Sequence, residues 1–160
     1  ELTDGSQDIL MVTQNGFSIR FQESEVRSIG RTGRGVRGIR LKESDRVVGA
    51  CVVKPGTAIL TVTNKGFGKR THLDEYPVQG RGGVGVITIK CNEKIGLVIG
   101  VEQVIESEEI LVITSDGNIV RMRVNEISVI GRNTQGVRVV GLTDDNRVVC
   151  IEKLMEESDT

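Results

Sequence analysis

The sequence has 160 residues, which is enough for one domain with a buried core. Its apolar residues are mostly Val and Ile, with 3 Phe, 1 Tyr and no Trp, and its 20 glycines follow no collagen period, so the composition favours an all-β fold. The formal net charge is −1, and no apolar run approaches the roughly 18 residues of a membrane-spanning helix.

The charge is unevenly distributed along the chain. Residues 1–8 and 156–160 hold three acids each and no base, so residues 9–155 carry 21 bases against 16 acids. Fourteen of these bases are Arg, whose guanidinium group matches the geometry of phosphate oxygens. We therefore expect the body of the chain to favour a polyanion and residues 156–160 to begin an acidic tail.

The residue types needed for catalysis or metal binding are sparse. Cys51, Cys91 and Cys150 are far apart, and His72 is the only histidine. An odd number of cysteines without a C-x-x-C pair indicates reduced structural thiols in a cytoplasmic protein. We expect no catalytic residue, no metal and no cofactor in this chain.

Three segments of the chain repeat one motif. They read "ILMVTQNGFSIRF" at 9–21, "ILTVTNKGFGKRT" at 59–71 and "ILVITSDGNIVRM" at 110–122, a period of 50 and then 51 residues. A Gly-Arg block recurs in the same register, at 30–35, 80–85 and 131–136. Two blocks at one period predict three tandem repeats, at about 8–54, 55–105 and 106–155.

Each repeat is predicted to hold four short strands. The first repeat begins with a strand over 9–12, a tight turn at Asn15-Gly16 and a returning strand over 17–21. One helical turn follows near Glu25, and the equivalent turns lie near Glu75 and Glu126. The Gly-Arg loop then leads to a third strand and a fourth, predicted over 36–41 and 47–53, 86–90 and 97–101, and 137–142 and 148–151.

Four strands per fifty residues are typical of a propeller blade. Three blades are fewer than a closed propeller needs, and the first residue is not Met. We therefore expect the chain to be part of a larger ring or to associate with another copy of itself. A propeller that binds a protein partner through its loops is an alternative, although the aromatic residues typical of kelch blades are missing.

The first Gly-Arg loop, "GRTGRGVRGIR" at 30–40, contains Gly33, Gly35 and Gly38 in the G-x-G-x-x-G spacing of a dinucleotide-binding turn. Such a turn must be followed by a helix, whereas the residues after Gly38 are strand-like. The spacing also occurs in one repeat only. A nucleotide site is therefore excluded.

The recurring arginines form two sets. Arg31, Arg81 and Arg132 lie in the loops, and Arg20, Arg70 and Arg121 end the second strand of each repeat. Equivalent positions of an arc-shaped array form a curved stripe, which suits the phosphates of a bent duplex. Alternatively, each arginine fixes a turn of its own blade through backbone carbonyls, an interpretation that stays open for the second set.

The segments "GVRGIRL", "GFGKRTHLDEYPVQGRGGVGVITIK" and "EISVIGRNTQGVRVV" resemble the carboxyl-terminal domain of DNA gyrase A. The resemblance runs from about residue 8 to 155 and is closest to the last three blades of that domain. It implies a β-pinwheel, usually of five or six blades, that wraps double-stranded DNA around a basic rim in a positive sense. A related domain of topoisomerase IV is the alternative within this class.

The same resemblance implies partners and a location. They are the remainder of gyrase A and the second gyrase protein, gyrase B, which form a bacterial, ATP-hydrolysing type IIA topoisomerase of the nucleoid that introduces negative supercoils. This chain alone is then a DNA-binding module without enzymatic activity.

The segment 79–85, "QGRGGVG", resembles the box motif Q-(K/R)-R-G-G-(K/R)-G of that family, with Gly80 and Val84 in place of two bases. Gln79, Arg81, Gly82, Gly83 and Gly85 match it. This implies a box-like loop of a later blade. The residues expected to bind DNA are Arg31, Arg34, Arg37, Lys65, Lys69, Arg70, Arg81, Arg132 and Arg138.

Overall fold

The computed structural model describes residues 1–154, so the predicted acidic tail at 156–160 lies outside the described residues. The fold of the described residues is all-β, as predicted, apart from three single-turn 3-10 helices at Glu23–Glu25, Leu73–Glu75 and Val124–Glu126. The first repeat holds β1 (Asp8–Thr13), β2 (Phe17–Gln22) and β3 (Val47–Val52). The later strands are β4 (Ala58–Thr63), β5 (Phe67–His72), β6 (Val86–Ile87), β7 (Val98–Val104), β8 (Glu109–Thr114), β9 (Ile119–Arg123), β10 (Val137–Arg138) and β11 (Val148–Lys153).

The predicted hairpins form at the predicted glycines. Gly16, Gly66 and Gly117 have φ angles of +85°, +83° and +86°, which residues with a side chain rarely adopt. Each turn joins a strand to an antiparallel neighbour, with Leu10 opposite Arg20 in the first repeat and Leu60 opposite Arg70 in the second. The local sequence therefore determines these turns.

The sheets combine strands from two repeats. The strand orders are β3-β1-β2-β6, β7-β4-β5-β10 and, for the third sheet within residues 1–154, β11-β8-β9. β6 comes from the second repeat and completes the first sheet, while β10 comes from the third repeat and completes the second. The predicted third strands are thus shorter than expected and lie on the preceding blade, and residues 36–41 form no strand in the described structure. This lending of a strand between blades is the architecture of a β-pinwheel.

The inner side of the arc is formed by β3, β7 and β11, which contact one another in that order. Glycines allow the close approach: a Cβ at Gly49 would lie 3.3 Å from Cβ of Val101, and one at Gly100 only 2.4 Å from Cγ1 of Ile151. The lent strands β6 and β10 lie at the opposite edge of their sheets. They therefore mark the outer edge of the arc.

The hydrophobic core lies between neighbouring blades. Leu10 and Val12 of the first blade pack with Ile59 and Tyr76 of the second in one cluster. A second cluster joins the second and third blades and includes Leu60, Val62, Ile110, Val112 and Ile151. No helix among residues 1–154 is both long enough and apolar enough to cross a bilayer.

Candidate nucleic-acid interface

The Gly-Arg loops and the lent strands together form the outer rim of the arc, which we define as residues 27–42, 78–90 and 129–141. The second and third loops immediately precede the strands that pair with the preceding blade, so the sheet order places both at the outer edge. The first loop lies beside the second, because the N–H of Arg40 donates to the carbonyl of Gly83 at 2.8 Å. Gly80 and Gly83 are exposed and carry no side chain, so the main chain is accessible at these two positions.

The first rim segment is the most basic part of the surface. Residues 27–42 hold six bases and no acid, and all six side chains are exposed. Five of them are Arg27, Arg31, Arg34, Arg37 and Arg40. Lys42 lies over the ring of Phe17, with 3.9 Å between Nζ and the ring centroid. Arg31, Arg34 and Arg37, which are expected from the sequence to bind DNA, are thus exposed to solvent.

The loop arginines of the second and third repeats form part of the contact between blades. Nε of Arg81 donates to the carbonyl of Glu25 at 3.1 Å, and a second guanidinium nitrogen donates to the carbonyl of Arg37. Arg132 repeats this arrangement with the carbonyls of Glu75 and Ile87. Both side chains are therefore partly covered and hold the lent segment in place.

Three other basic residues of the predicted set differ in exposure. The side chain of Lys69 is fully buried, and its ammonium donates to the carbonyl of Gly131 at 2.5 Å and to Oγ1 of Thr134 at 2.9 Å. Burial lowers the pKa of Lys69 to about 8. Arg70 is 6% exposed and donates from Nε to the carbonyl of Ile127 at 2.7 Å. Lys65 is half-buried, and its ammonium contacts the carbonyl of Glu93.

Arg138 is exposed at the end of the third rim segment. Its guanidinium carbon lies 5.0 Å from the centroid of the Phe67 ring, a cation–π arrangement. One face of the group is occupied by the ring and the rest faces solvent, so it stays available to an anion.

Arg20 and Arg70, near the ends of the second strands of the first two repeats, each bind a carbonyl of the following blade. Arg20 donates to Asp8 at 2.8 Å and to the carbonyl of Tyr76, which belongs to the next repeat, at 3.2 Å. Arg121 pairs with Glu109, and its side chain is 67% exposed because no further blade follows it within residues 1–154.

The box-like loop is seated on the first blade through its main chain. The N–H of Gln79 donates to the carbonyl of Arg20 and that of Gly82 to the carbonyl of Gly38, each at 2.7 Å. A Cβ at Gly85 would lie 2.1 Å from the carbonyl oxygen of Ser18, so only glycine fits there. Val84 stands 38% exposed where the box motif has a base.

Two glutamate–arginine pairs at the loops were not predicted from the sequence. The carboxylate of Glu25 accepts from the N–H of Arg81 at 2.8 Å, and that of Glu75 from the N–H of Arg132 at 2.9 Å. The signal was present, because Glu25, Glu75 and Glu126 recur in register with the loops. It was not found because the partner lies one full repeat away.

Strand-lending blades with an arginine-rich outer rim define a β-pinwheel of the type found in DNA topoisomerases. The family model described as "DNA gyrase C-terminal domain, beta-propeller" matches residues 7–54, 57–105 and 108–150. The chain belongs to this family.

Curated relatives agree with this assignment. The chain is 46% identical to the DNA gyrase A protein of Salmonella typhimurium over 159 residues and 45% identical to that of Escherichia coli K12 over the same length. The DNA gyrase A protein of Haloquadratum walsbyi is 45% identical over 154 residues. The matches cover 99%, 99% and 95% of the chain but only 18% of each relative, so the chain spans less than a fifth of these proteins.

Solved structures share the architecture. A DNA gyrase A C-terminal domain superposes with a TM-score of 0.87 at 27% identity, covering 96% of this chain and 52% of that one. The C-terminal domain of a DNA topoisomerase IV gives a TM-score of 0.89 at 28% identity, covering 96% and 48%. The fold alone therefore does not separate the two enzymes, whereas the curated relatives named above are gyrase A.

Proposed function

We propose that this chain binds double-stranded DNA along its outer rim, without sequence preference, and wraps it as part of a gyrase A protein. The observation that carries the proposal is the first rim segment, where residues 27–42 expose six bases and no acid at the outer edge of the arc. Free guanidinium groups bind phosphate oxygens by charge-assisted hydrogen bonds, so such a segment favours a phosphate backbone.

The shape of the rim supports contacts to the DNA backbone over contacts to base edges. The rim consists of loops and two-residue strands, and the helices among residues 1–154 are single turns, too short to enter a major groove. Arg138 continues the basic rim on the third segment. A duplex that follows the curved rim meets positive charge at more than one blade, which favours a bent path.

We further infer the role of the whole protein from the gyrase A relatives. Wrapping by this module would present a crossing of DNA segments to the catalytic parts of gyrase, with gyrase B and ATP driving negative supercoiling. The chain itself then supplies binding and curvature but no chemical step.

Binding is tested by titrating a fluorescent duplex of mixed sequence with the chain at several salt concentrations. If about five phosphates are neutralised, log K falls against log salt with a slope of about −4 to −5. A second duplex of unrelated sequence should bind equally well. A flat salt response, or strong preference for one duplex, would overturn rim binding.

Wrapping is tested separately from binding. A nicked circular plasmid is ligated while the chain is bound, and the linking number is then measured on a gel. Positive wrapping shifts the closed circles to a higher linking number in proportion to the protein added. Salt-dependent binding without any shift in linking number would leave a DNA-binding module and refute the wrapping role.

A further inference from the structure

The box-like loop of the second repeat binds the main chain of the first rim segment at several points. The N–H of Gly82 donates to the carbonyl of Gly38 at 2.7 Å, and the carbonyl of Gly83 accepts from the N–H of Arg40 at 2.8 Å. One side chain of the loop, that of Arg81, also donates to main-chain carbonyls of the first repeat. The second repeat therefore supports the loop of the first.

Arg81 joins two points of the first repeat that are far apart in the sequence. Its Nε donates to the carbonyl of Glu25 at 3.1 Å, and a second guanidinium nitrogen donates to the carbonyl of Arg37. The main-chain N–H of Arg81 donates to the carboxylate of Glu25 at 2.8 Å, so Arg81 is itself fixed. One planar group thus binds the main chain at both ends of residues 26–36.

Residues 27–36 have few internal contacts of their own. Within the part of the chain that the structure describes, their main-chain hydrogen bond is the one from the N–H of Gly33 to the carbonyl of Gly30, at 2.9 Å. A loop whose two ends are held together has fewer accessible conformations than one with free ends. The order of this loop therefore depends on the contacts that Arg81 makes at its ends.

Arg34 and Arg37 lie at positions that reach the surface also where a loop is seated on a preceding blade. The residues in register with them in the later repeats are Val84, Ile87, Gln135 and Arg138. The two in register with Arg34 are exposed, and of the two in register with Arg37 one is exposed and one is half-buried. The outward position of Arg34 and Arg37 is therefore a property of the loop and needs no assumption about what precedes the first repeat.

The contact between the second and third blades repeats the arrangement with different side chains on the loop. Arg132 donates to the carbonyls of Glu75 and Ile87, as Arg81 does one repeat earlier. The position of Arg34 is taken there by Val84. The same main-chain support thus recurs, and in the first rim segment it holds a loop that carries exposed arginines.

We propose that Arg81 is a positioning residue for DNA binding. It fixes the main chain of the first rim segment so that Arg34 and Arg37 meet the phosphates, while its own guanidinium group stays bound to protein carbonyls. This inference rests on the proposed binding of DNA along the rim. Side chains on a loop that is ordered before binding lose less conformational freedom when they bind, which raises affinity.

The first test needs no DNA. Arg81→Lys keeps the positive charge, but lysine has a carbon at the position of Nε, so the bond to the carbonyl of Glu25 is lost. The NMR order parameters of the main chain at residues 28–36 should fall to about 0.6 or lower, the range of flexible main chain, while those of the strands stay near about 0.85. Arg147→Lys is the control, because Arg147 also donates to two carbonyls but lies outside the rim.

The second test measures duplex binding in a double-mutant cycle at one salt concentration. Arg81→Lys should weaken binding by about tenfold, because arginines on an unfixed loop must be ordered on binding. In the background of Arg34→Gln with Arg37→Gln, the same change should have almost no further effect, since the side chains that Arg81 positions are gone. Arg147→Lys should bind as the original chain does.

The outcomes separate positioning from direct contact with phosphate. If Arg81 bound phosphate itself, Arg81→Lys would keep most of the affinity, or its effect would add to that of Arg34→Gln with Arg37→Gln. Either result, or unchanged order parameters at residues 28–36 in Arg81→Lys, would overturn the positioning role. An original chain that binds no duplex at any salt concentration would instead overturn the proposed function, and the order parameters would still decide whether Arg81 fixes the loop.

Discussion

Glu75 and Arg132 bind each other by two hydrogen bonds that run in opposite directions. The carboxylate of Glu75 accepts from the main-chain N–H of Arg132 at 2.9 Å, and Nε of Arg132 donates to the main-chain carbonyl of Glu75. The two residues lie 57 positions apart in the chain and belong to neighbouring blades. Each charged group thus binds the main chain of the other residue: the carboxylate accepts from an N–H and the guanidinium group donates to a carbonyl. Glutamate and arginine could therefore not exchange these two positions.

This relationship predicts that Glu75→Ala destabilises the fold by about 1–2 kcal/mol, because a hydrogen bond to a charged group is lost. Glu75→Gln keeps an acceptor oxygen and should cost less. The free energy of unfolding is measured by urea denaturation followed by circular dichroism. Asp74→Ala, at the exposed neighbouring position, is the control and should leave stability unchanged. Equal losses from Glu75→Ala and Asp74→Ala would refute the role of the carboxylate.

The buried Lys69 predicts an unusual pH dependence of stability. Its pKa is lowered from 10.5 to about 8 by burial, so between these values the unfolded chain binds more protons than the folded one. The contribution of Lys69 to stability therefore rises with pH from about 8 to 10.5, by up to about 1.4 kcal/mol per pH unit. Lys69→Met should remove this rise when unfolding is measured at several pH values. An identical pH profile for both chains would contradict it.

The first rim segment should carry most of the DNA affinity. Arg34→Glu with Arg37→Glu reverses two exposed charges and should reduce the steepness of the salt dependence by about two, one per lost phosphate contact. The matched control is Arg46→Glu with Lys54→Glu, which makes the same charge change at the exposed residues on either side of the inner strand β3. Both variants should fold, since exposed charge changes alter stability by only about 0.5 kcal/mol. Equal weakening by the two variants would indicate an effect of net charge alone.

The cysteines should react slowly with thiol reagents. Burial raises the pKa of Cys51 to about 11 and also raises the pKa values of Cys91 and Cys150. The thiolate is the reactive form, so at pH 8 little of it is present in the folded chain. A colorimetric disulfide reagent should label all three thiols quickly in urea and much more slowly without it. Rapid stoichiometric labelling of the folded chain would contradict this prediction.

Local signals predicted the repeats, hairpins and single helical turns, because turn glycines and alternating apolar residues act within a few positions. The pairing partners of the lent strands could not be predicted from such local signals. Val86 and Ile87 have the same β-favouring side chains whether they pair within their own repeat or with Phe17 and Ser18 of the preceding one. Only the packing between blades decides this.

The rim residues show the same limit. Arg31 and Arg81 occupy equivalent sequence positions, yet Arg31 is exposed and Arg81 is held by the carbonyls of Glu25 and Arg37. The difference arises because residues 1–154 include a blade before Arg81 and none before Arg31. Lys69 was expected from the sequence to bind DNA, whereas its ammonium is bound by three oxygen acceptors that the third repeat supplies.

Because each four-stranded sheet takes its last strand from the next repeat, the repeating unit of the sequence differs from the folded blade. Each repeat of about fifty residues carries a strand edge that accepts a lent strand and a strand that it lends. At both contacts between blades, the lent strand pairs with the edge of the preceding repeat and not with the edge of its own. Adding or removing whole repeats therefore leaves the remaining contacts between blades intact, because the strand edge of each repeat matches the strand lent by the next repeat. The number of blades can therefore change in evolution by simple tandem duplication or loss, with only the two end repeats needing adjustment.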